Sequence, residues 1–380
     1  MLGARKIAVM GSSKLSNQKS LTFDGSNDHL NCGNVLDIGT ADFTLSIWAK
    51  ASDWNNTNLI AKHEGSADFW RWQCDNANPP TMRYYAKQAD GTFLGTYVGG
   101  SGINLDLLQN QWVHFILSND RSGNVTGYIN GQLDDADSSD ATNIANSGNL
   151  TIAALNASDT SAMSISEVAI YNKALSGTEA VTMYNGREPY NHKEGPFAGN
   201  LTGWWRMGDG SLDEHVGNSG IIQDLTNEGF GNDVITNGGF DADSNWTKGD
   251  FTIGSGIATV TTDGANQYIK QVNLWSDNAN DGKVVKLEYE ITANTDTIAL
   301  KAGGYAGTDL SAQKTLVSTV GIHRIYIFVS NSGTSDSLTF HVNHTAGETI
   351  SIDNVKLSVS NGAAGSMVNM AANDIVGDTP

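Results

Sequence analysis

Two carboxylates spaced by one residue on a strand would be the first chemistry to look for. Period two aims both into one cleft, where glycoside hydrolysis needs an acid and a second carboxylate. The nearest such pair is Glu288 and Glu290, inside Lys286-Leu287-Glu288-Tyr289-Glu290-Ile291-Thr292. Charged and apolar residues alternate there, as in a strand with one solvated face. The eight histidines include no His-Glu-x-x-His spacing, and His341 and His344, three apart at a strand end, suit surface or packing positions. No Gly-x-Ser-x-Gly elbow, phosphate loop or Cys/His nucleophile set is present. Cys32 and Cys74 each lie in a strand-like stretch and read as independent packing residues. A non-enzyme is therefore expected, and binding is the chemistry that is left. Aromatic faces stack on sugars while Asn, Asp and Gln fix their orientation. Trp54, Trp70, Trp72, Tyr84 and Tyr85 are the candidates to line such a groove. Trp70 and Trp72 share a strand face that suits a core as well as a groove, whereas Trp48 and Trp112 sit on alternating apolar faces and are expected inside. The acidic hairpin tip Asp134-Asp135-Ala136-Asp137 reads as solvated loop.

These residues need a scaffold, and 380 residues fit two domains better than one. With 42 Gly and 5 Pro the chain has material for many tight turns. Its net charge of −19 opposes non-specific binding to nucleic acid or anionic membrane. The stretch following Met1 has a positive pair but too little apolar sequence for a signal-peptide core, and no run approaches the ~18 apolar residues of a membrane span. Neither a nucleic-acid partner nor membrane insertion is expected.

Period-two runs without intervening helices predict an all-β chain of two tandem antiparallel β-sandwiches, or jelly rolls. A hairpin is predicted over 20–32 around the Asp24–Asp28 turn cluster, followed by strands over 43–50, 58–62, 68–73, 82–87, 112–118, 125–129, 150–154 and 165–171. Asn130-Gly131 predicts a two-residue hairpin turn with both residues at positive φ. One short helix is predicted after Leu175, with Ser176 as N-cap, Glu179 completing a capping box and Asn185-Gly186 as the stop. The aromatic run at 201–210 is assigned to the first domain. A second strand series opens at 233–240 and closes at 349–357. The expected division is an N-terminal arm at 1–18, a first sandwich at 19–230, a second at 231–360 and a C-terminal tail at 361–380. A tail of that Gly/Ala/Asn-rich composition is expected to pack on something if ordered, either a neighbour or its own chain.

Leu21-Thr22-Phe23-Asp24-Gly25, Phe43-Thr44-Leu45-Ser46-Ile47-Trp48, Gln111-Trp112-Val113-His114, Gly127-Tyr128-Ile129-Asn130-Gly131 and the run 165–176 stand in an order that resembles the laminin-G-like members of the concanavalin A-like lectin/glucanase superfamily. The resemblance implies a two-sheet jelly roll that commonly binds rather than catalyses. Asn237-Gly238-Gly239-Phe240 with Trp246, closed by Ile352-Asp353-Asn354-Val355-Lys356-Leu357, is similar to jelly-roll carbohydrate-binding modules. That likeness implies a structural Ca²⁺ between first and last strands, with Asp241 and Asp353 as candidate ligands. The runs at 204–210 and 370–380 resemble segments that follow laminin-G-like domains in structural proteins of marine tailed bacteriophages. What this implies is a virion-surface protein, a capsid decoration or a head or tail fibre, adhering to glycans and partnered by major capsid or fibre proteins and by copies of itself. The alternative is an extracellular, cellular carbohydrate-binding adhesion protein.

Overall fold

The computed structural model describes residues 15–65, 68–88, 90–99, 102–276, 279–330 and 336–380, so the N-terminal arm lies outside the described residues up to position 14. The chain is all-β with a single short α-helix among those residues. One sheet of the first sandwich runs Gln132–Ser138, Asn124–Ile129, Val113–Asn119, Phe43–Lys50, Ala162–Tyr171, Ser20–Asp24 and Ile375–Val376, with Leu201–Trp205 also pairing to Ala162–Tyr171. The facing sheet runs Glu214–Val216, Ser219–Ile222, Gly365–Val368, His29–Asn31, Asn149–Ile152, Thr57–Glu64, Asp68–Cys74, Met82–Lys87 and Phe93–Val98. Alternate residues of both sheets, among them Leu45, Ile47, Phe115, Ile60, Trp70, Trp72 and Ile152, form one core. Asn130 and Gly131 both take positive φ between paired Ile129 and Gln132, the two-residue turn their types require. Ser176 and Glu179 close the capping box of the Gly177–Tyr184 helix, and Asn185 ends it in the left-handed region.

The segment predicted as a hairpin over 20–32 is instead a crossing between sheets. Ser20–Asp24 pairs with Ala162–Tyr171, whereas His29–Asn31 pairs in the other sheet. Leu21 and Phe23 on one side and Leu30 on the other then meet in the same core. A turn cluster marks a change of direction, and only the burial of both flanking strands decides whether they pair edge to edge or face to face.

In the second sandwich one sheet runs Thr247–Gly249, Asn266–Gln271, Leu338–Asn343, Lys301–Ala302, Lys314–Thr315, and the other Thr252–Gly254, Ile257–Thr261, Thr349–Val359, Val284–Asn294, Gly321–Phe328. Leu287, Tyr289, Ile291, Phe340, Ile352 and Leu357 fill the space between. Residues 233–240 are not a regular strand. Val234 donates to the Leu357 carbonyl at 2.9 Å, but Asn237 and Phe240 at positive φ turn the chain out of the ladder.

The C-terminal segment does not form a separate tail. Gly365–Val368 fills the gap between Ser219–Ile222 and His29–Asn31, and Ile375–Val376 pairs with Ser20–Asp24. The second sandwich is thus enclosed between two strands of the first, with Ile222 directly opposite Gly365. A small apolar cluster of Ile221, Val284, Tyr326 and Ala364 joins the two bodies, and the Tyr326 amide donates to Ser219 Oγ at 2.7 Å.

Candidate functional site

Four of the five aromatics proposed as groove residues are core. Trp54, Trp70 and Trp72 have no exposure and Tyr84 has 4%. Trp54 packs edge-on to Phe115, and Tyr84 edge-on to Phe43. A ring enclosed on all sides offers no face to a sugar. The reason is legible in Trp70-Arg71-Trp72-Gln73-Cys74: the sheet alternates, Arg71 must keep its charge at the solvent side, and the two Trp side chains therefore point inward. Tyr85, one position along from Tyr84, lies on the outer face and is half-buried. Trp48 is buried, stacked on His114 at 4.8 Å. Trp112, expected inside, is half-buried at the surface and donates its indole N–H to Asp378 at 3.1 Å.

Asp241 and Asp353 are near enough for their charges to interact. The Asp353 carboxyl is raised above the usual carboxylate range, first by burial and then by the neighbouring Glu290 and Asp241. Asn354, at positive φ, supplies the donors here: its backbone N–H reaches Asp353 at 2.6 Å and its side-chain amide reaches Glu290 at 2.7 Å. Among the described residues no three His, Cys, Asp or Glu side chains gather as a metal ion would require. The Asn354 amide bridges Asp353 and Glu290, so a calcium ion between Asp241 and Asp353 would have to draw its remaining oxygens from backbone carbonyls and solvent.

The residues that the structure does bring together lie on a sheet face of the second sandwich. Along Asn266–Gln271, Gln267, Ile269 and Gln271 are buried while Asn266, Tyr268 and Lys270 face outward. Asn266 stands opposite Asn343 and Tyr268 opposite His341, and Lys301 continues the row beyond His341. Tyr268 extends over Gly249, where a Cβ would lie 2.2 Å from the ring, so only glycine admits this ring position. Tyr305 comes from the loop after Lys301–Ala302. Gly303 and Gly304 at positive φ start that loop, and one Asp309 oxygen accepts from the amides of Tyr305 at 2.6 Å and Ala306 at 2.8 Å. The other Asp309 oxygen accepts from Thr339 Oγ1, which fixes the loop to the sheet.

Tyr305 is 36% exposed, with its ring centroid 4.6 Å from Tyr268 and 5.4 Å from His341. An open cleft of about 510 Å³ is lined by Asn266, Lys301, Tyr305, Gln313, His341 and Asn343. The His341 Nε2–H donates to the Gly303 carbonyl at 3.0 Å, and burial lowers the imidazole pKa, so at neutral pH the ring is uncharged. Such a surface offers aromatic faces, amide donors and acceptors and one ammonium. It supplies hydrogen bonds and stacking rather than a nucleophile. The sequence held a signal for Tyr268, the aromatic on the polar side of an alternating run. Tyr305 had none beyond two preceding glycines.

Two antiparallel sandwiches, with an open cleft on one sheet face, define an all-β sandwich protein. Residues 24–180 match the concanavalin A-like lectin/glucanases superfamily, the segment that holds nearly all of the laminin-G-like motifs. No curated protein matches the chain. Among solved structures, a Bacteroides ovatus protein described as carbohydrate binding is similar at 17% identity, covering 57% of each chain, TM-score 0.42. The Ruminococcus gnavus IT-sialidase carbohydrate-binding module bound to α2,3-sialyllactose is similar at 13% identity, covering 45% of this chain and all of that one, TM-score 0.36. The SAP-like pentraxin of Limulus polyphemus is similar at 14% identity, covering 44% of this chain and 82% of that one, TM-score 0.35.

Proposed function

We propose that the chain is a non-enzymatic glycan-binding protein and that the cleft lined by Tyr305 and His341, with Tyr268 packed behind Tyr305, is its glycan site. The observation that carries this reading is Tyr305, backed by Tyr268 at 4.6 Å and lining an open cleft with Asn266, Asn343, Gln313 and Lys301. Sugar rings present apolar faces to such platforms and hydroxyls to such amides. The pair Glu288 and Glu290 supports no catalytic role, since Glu288 is ion-paired to Lys286 at 3.3 Å and Glu290 accepts from Asn354. Titration against an array of neutral polysaccharides tests the site. Tyr305→Ala, at an exposed loop position, lowers affinity about tenfold for a ligand that stacks there. Full affinity in that variant overturns the assignment.

The setting proposed for this binding is the surface of a tailed-phage particle, as a capsid decoration or a head or tail fibre protein contacting other virion proteins and copies of itself. A cellular adhesion protein is the second reading. Order in the C-terminal segment is supplied by the chain's own strands and not by a neighbour, so the virion setting rests on the resemblance of the 204–210 and 370–380 runs. Mass spectrometry and immuno-electron microscopy of purified particles separate the two settings. Calcium at Asp241 and Asp353 is carried as a proposal with its own test: a melting midpoint raised by Ca²⁺ and lowered by chelator, an effect lost in Asp353→Asn, supports it, and an unmoved midpoint removes it.

A further inference from the structure

The solvent side of the first sandwich's larger sheet carries a second, chemically different surface. Trp70, Trp72 and Cys74 turn inward, so Phe69, Arg71 and a covered Gln73 lie on the opposite face, and the register places Phe69 beside Lys87, Arg71 beside Tyr85 and Gln73 beside Arg83. Phe93 on the next strand stands beside Lys87. Phe69, Tyr85 and Phe93 therefore form a row across three strands, with centroids 5.6 Å and 6.2 Å apart. Cations lie over this row: Arg71 and Arg83 at 5.2 Å and 4.9 Å from the Tyr85 ring, and Lys87 at 5.5 Å from Phe93. Arg71 is tied to Asp159 at 3.3 Å. Among the described residues no carboxylate comes within ion-pair distance of Arg83 or Lys87, although the chain carries 41 acidic residues against 22 basic. Phe93 remains 64% exposed.

Solubility does not call for this arrangement, because the chain is already strongly acidic and an exposed Phe works against it. Charge complementarity identifies the occupant as an anion, and the ring row identifies one with apolar faces to stack. We propose that this face binds an acidic polysaccharide, with its sugar rings laid along Phe69, Tyr85 and Phe93 and its carboxylates held by Arg83 and Lys87. A charge-assisted pair from each cation supplies the affinity, and the rings supply selection for a saccharide over a bare anion. The chain's −19 charge does not forbid this, because screening at ~8 Å in physiological salt leaves the local patch in control for a slender polymer. A bulky polyanion such as duplex DNA brings its charge against the acidic remainder of the surface.

Calorimetric titration with sodium polygalacturonate tests the proposal, with its methyl ester as the probe of the same shape without charge. Binding is expected for the acid form, weakening as salt rises, and is lost in the ester. Arg83→Gln combined with Lys87→Gln lowers affinity at least about tenfold, while the melting midpoint and any neutral-glycan binding in the cleft are unchanged. Phe93→Ala lowers affinity without touching charge. Equal binding of acid and ester, full affinity in the double variant, or equal affinity for an oligodeoxynucleotide overturns it. Since the cleft residues are not altered, failure here leaves the glycan site of the second sandwich standing, and failure there leaves this one standing.

Discussion

Glu167 is 1% exposed and accepts from the Arg206 guanidinium at 2.9 Å and from the Trp204 indole at 2.6 Å, yet burial pushes its pKa up to about 7. In the unfolded chain the carboxyl returns to its ordinary value of 4.5. Between those values the folded chain holds a proton that the unfolded chain has released, so stability falls as pH rises through the window. Asp213, pushed up to about 6 by burial, acts in the same sense. His114 and His192 act in the opposite sense. Burial lowers both from 6.5 to about 3, so acid protonates them only in the unfolded chain and stability falls as pH drops below 6.5. The opposed slopes leave the wild-type melting midpoint changing little between about pH 7 and about pH 5. Glu167→Gln weakens one side of the balance, leaving Asp213 alone against the two histidines, and its midpoint falls more steeply on acidification. Parallel pH profiles for the two proteins would refute the assignment. Trp72 supplies the complementary residue-scale prediction. With no exposure, Trp72→Ala destabilises by about 3–5 kcal/mol in chemical denaturation, whereas its binding at temperatures where it stays folded is that of the wild type.

At the scale of elements, the strand most exposed to a decisive test is Gly365–Val368. It brings Met367 into the first core and covers Leu30 so closely that a Cβ on Gly365 would lie 2.4 Å from Leu30 Cγ. Ending the chain after Ser360 removes this strand and Ile375–Val376 together, and leaves Ser219–Ile222 and His29–Asn31 with unpaired edges. Hydrogen exchange should then show lost protection in those strands while Val284–Asn294 and Thr349–Val359 keep theirs; uniform protection across both bodies would contradict the topology. This is also where the sequence was least informative. Alternation marked Phe43–Lys50, Asp68–Cys74 and Val284–Asn294, because each turns an apolar row into the core, although Phe43–Lys50 is covered on its other face as well. Gly365-Ser366-Met367-Val368 has no such pattern, since its burial is set by neighbours more than a hundred residues away. The same difference divides the sites. Trp70 and Trp72 were ambiguous as aromatics until the charge of Arg71 between them fixed the inward face. Tyr305 acquires its role only when Asp309 and Thr339 bring its loop onto a strand from elsewhere in the chain.

For the whole molecule, entry and exit of the second sandwich at a single ladder, Ile222 opposite Gly365, replaces a flexible linker with two anchored crossings. The Arg324–Glu214 ion pair at 2.7 Å is well exposed and adds little. Close approach of backbone does more. Gly33, after the His29–Asn31 strand, meets the loop before Val284–Asn294, and a Cβ on it would lie 1.5 Å from the Gly282 carbonyl oxygen. Its φ of +75° penalises a side chain as well. Such a contact limits how far the sandwiches can rock, so the cleft of one and the cationic face of the other are expected to hold a nearly constant relation. A polymer able to reach both would bind by effective concentration rather than by two separate equilibria. Gly33→Ala therefore has an effect that neither site can explain. The bodies must shift apart, so the variant is expected to melt in two transitions where the wild type is expected to melt in one, and affinity for each short oligosaccharide should survive while any gain for long polymers over short ones is lost. A variant that melts as one unit with unchanged solution scattering would show that the contact yields without moving the sandwiches, and the rigid relation would then have to come from the crossings alone.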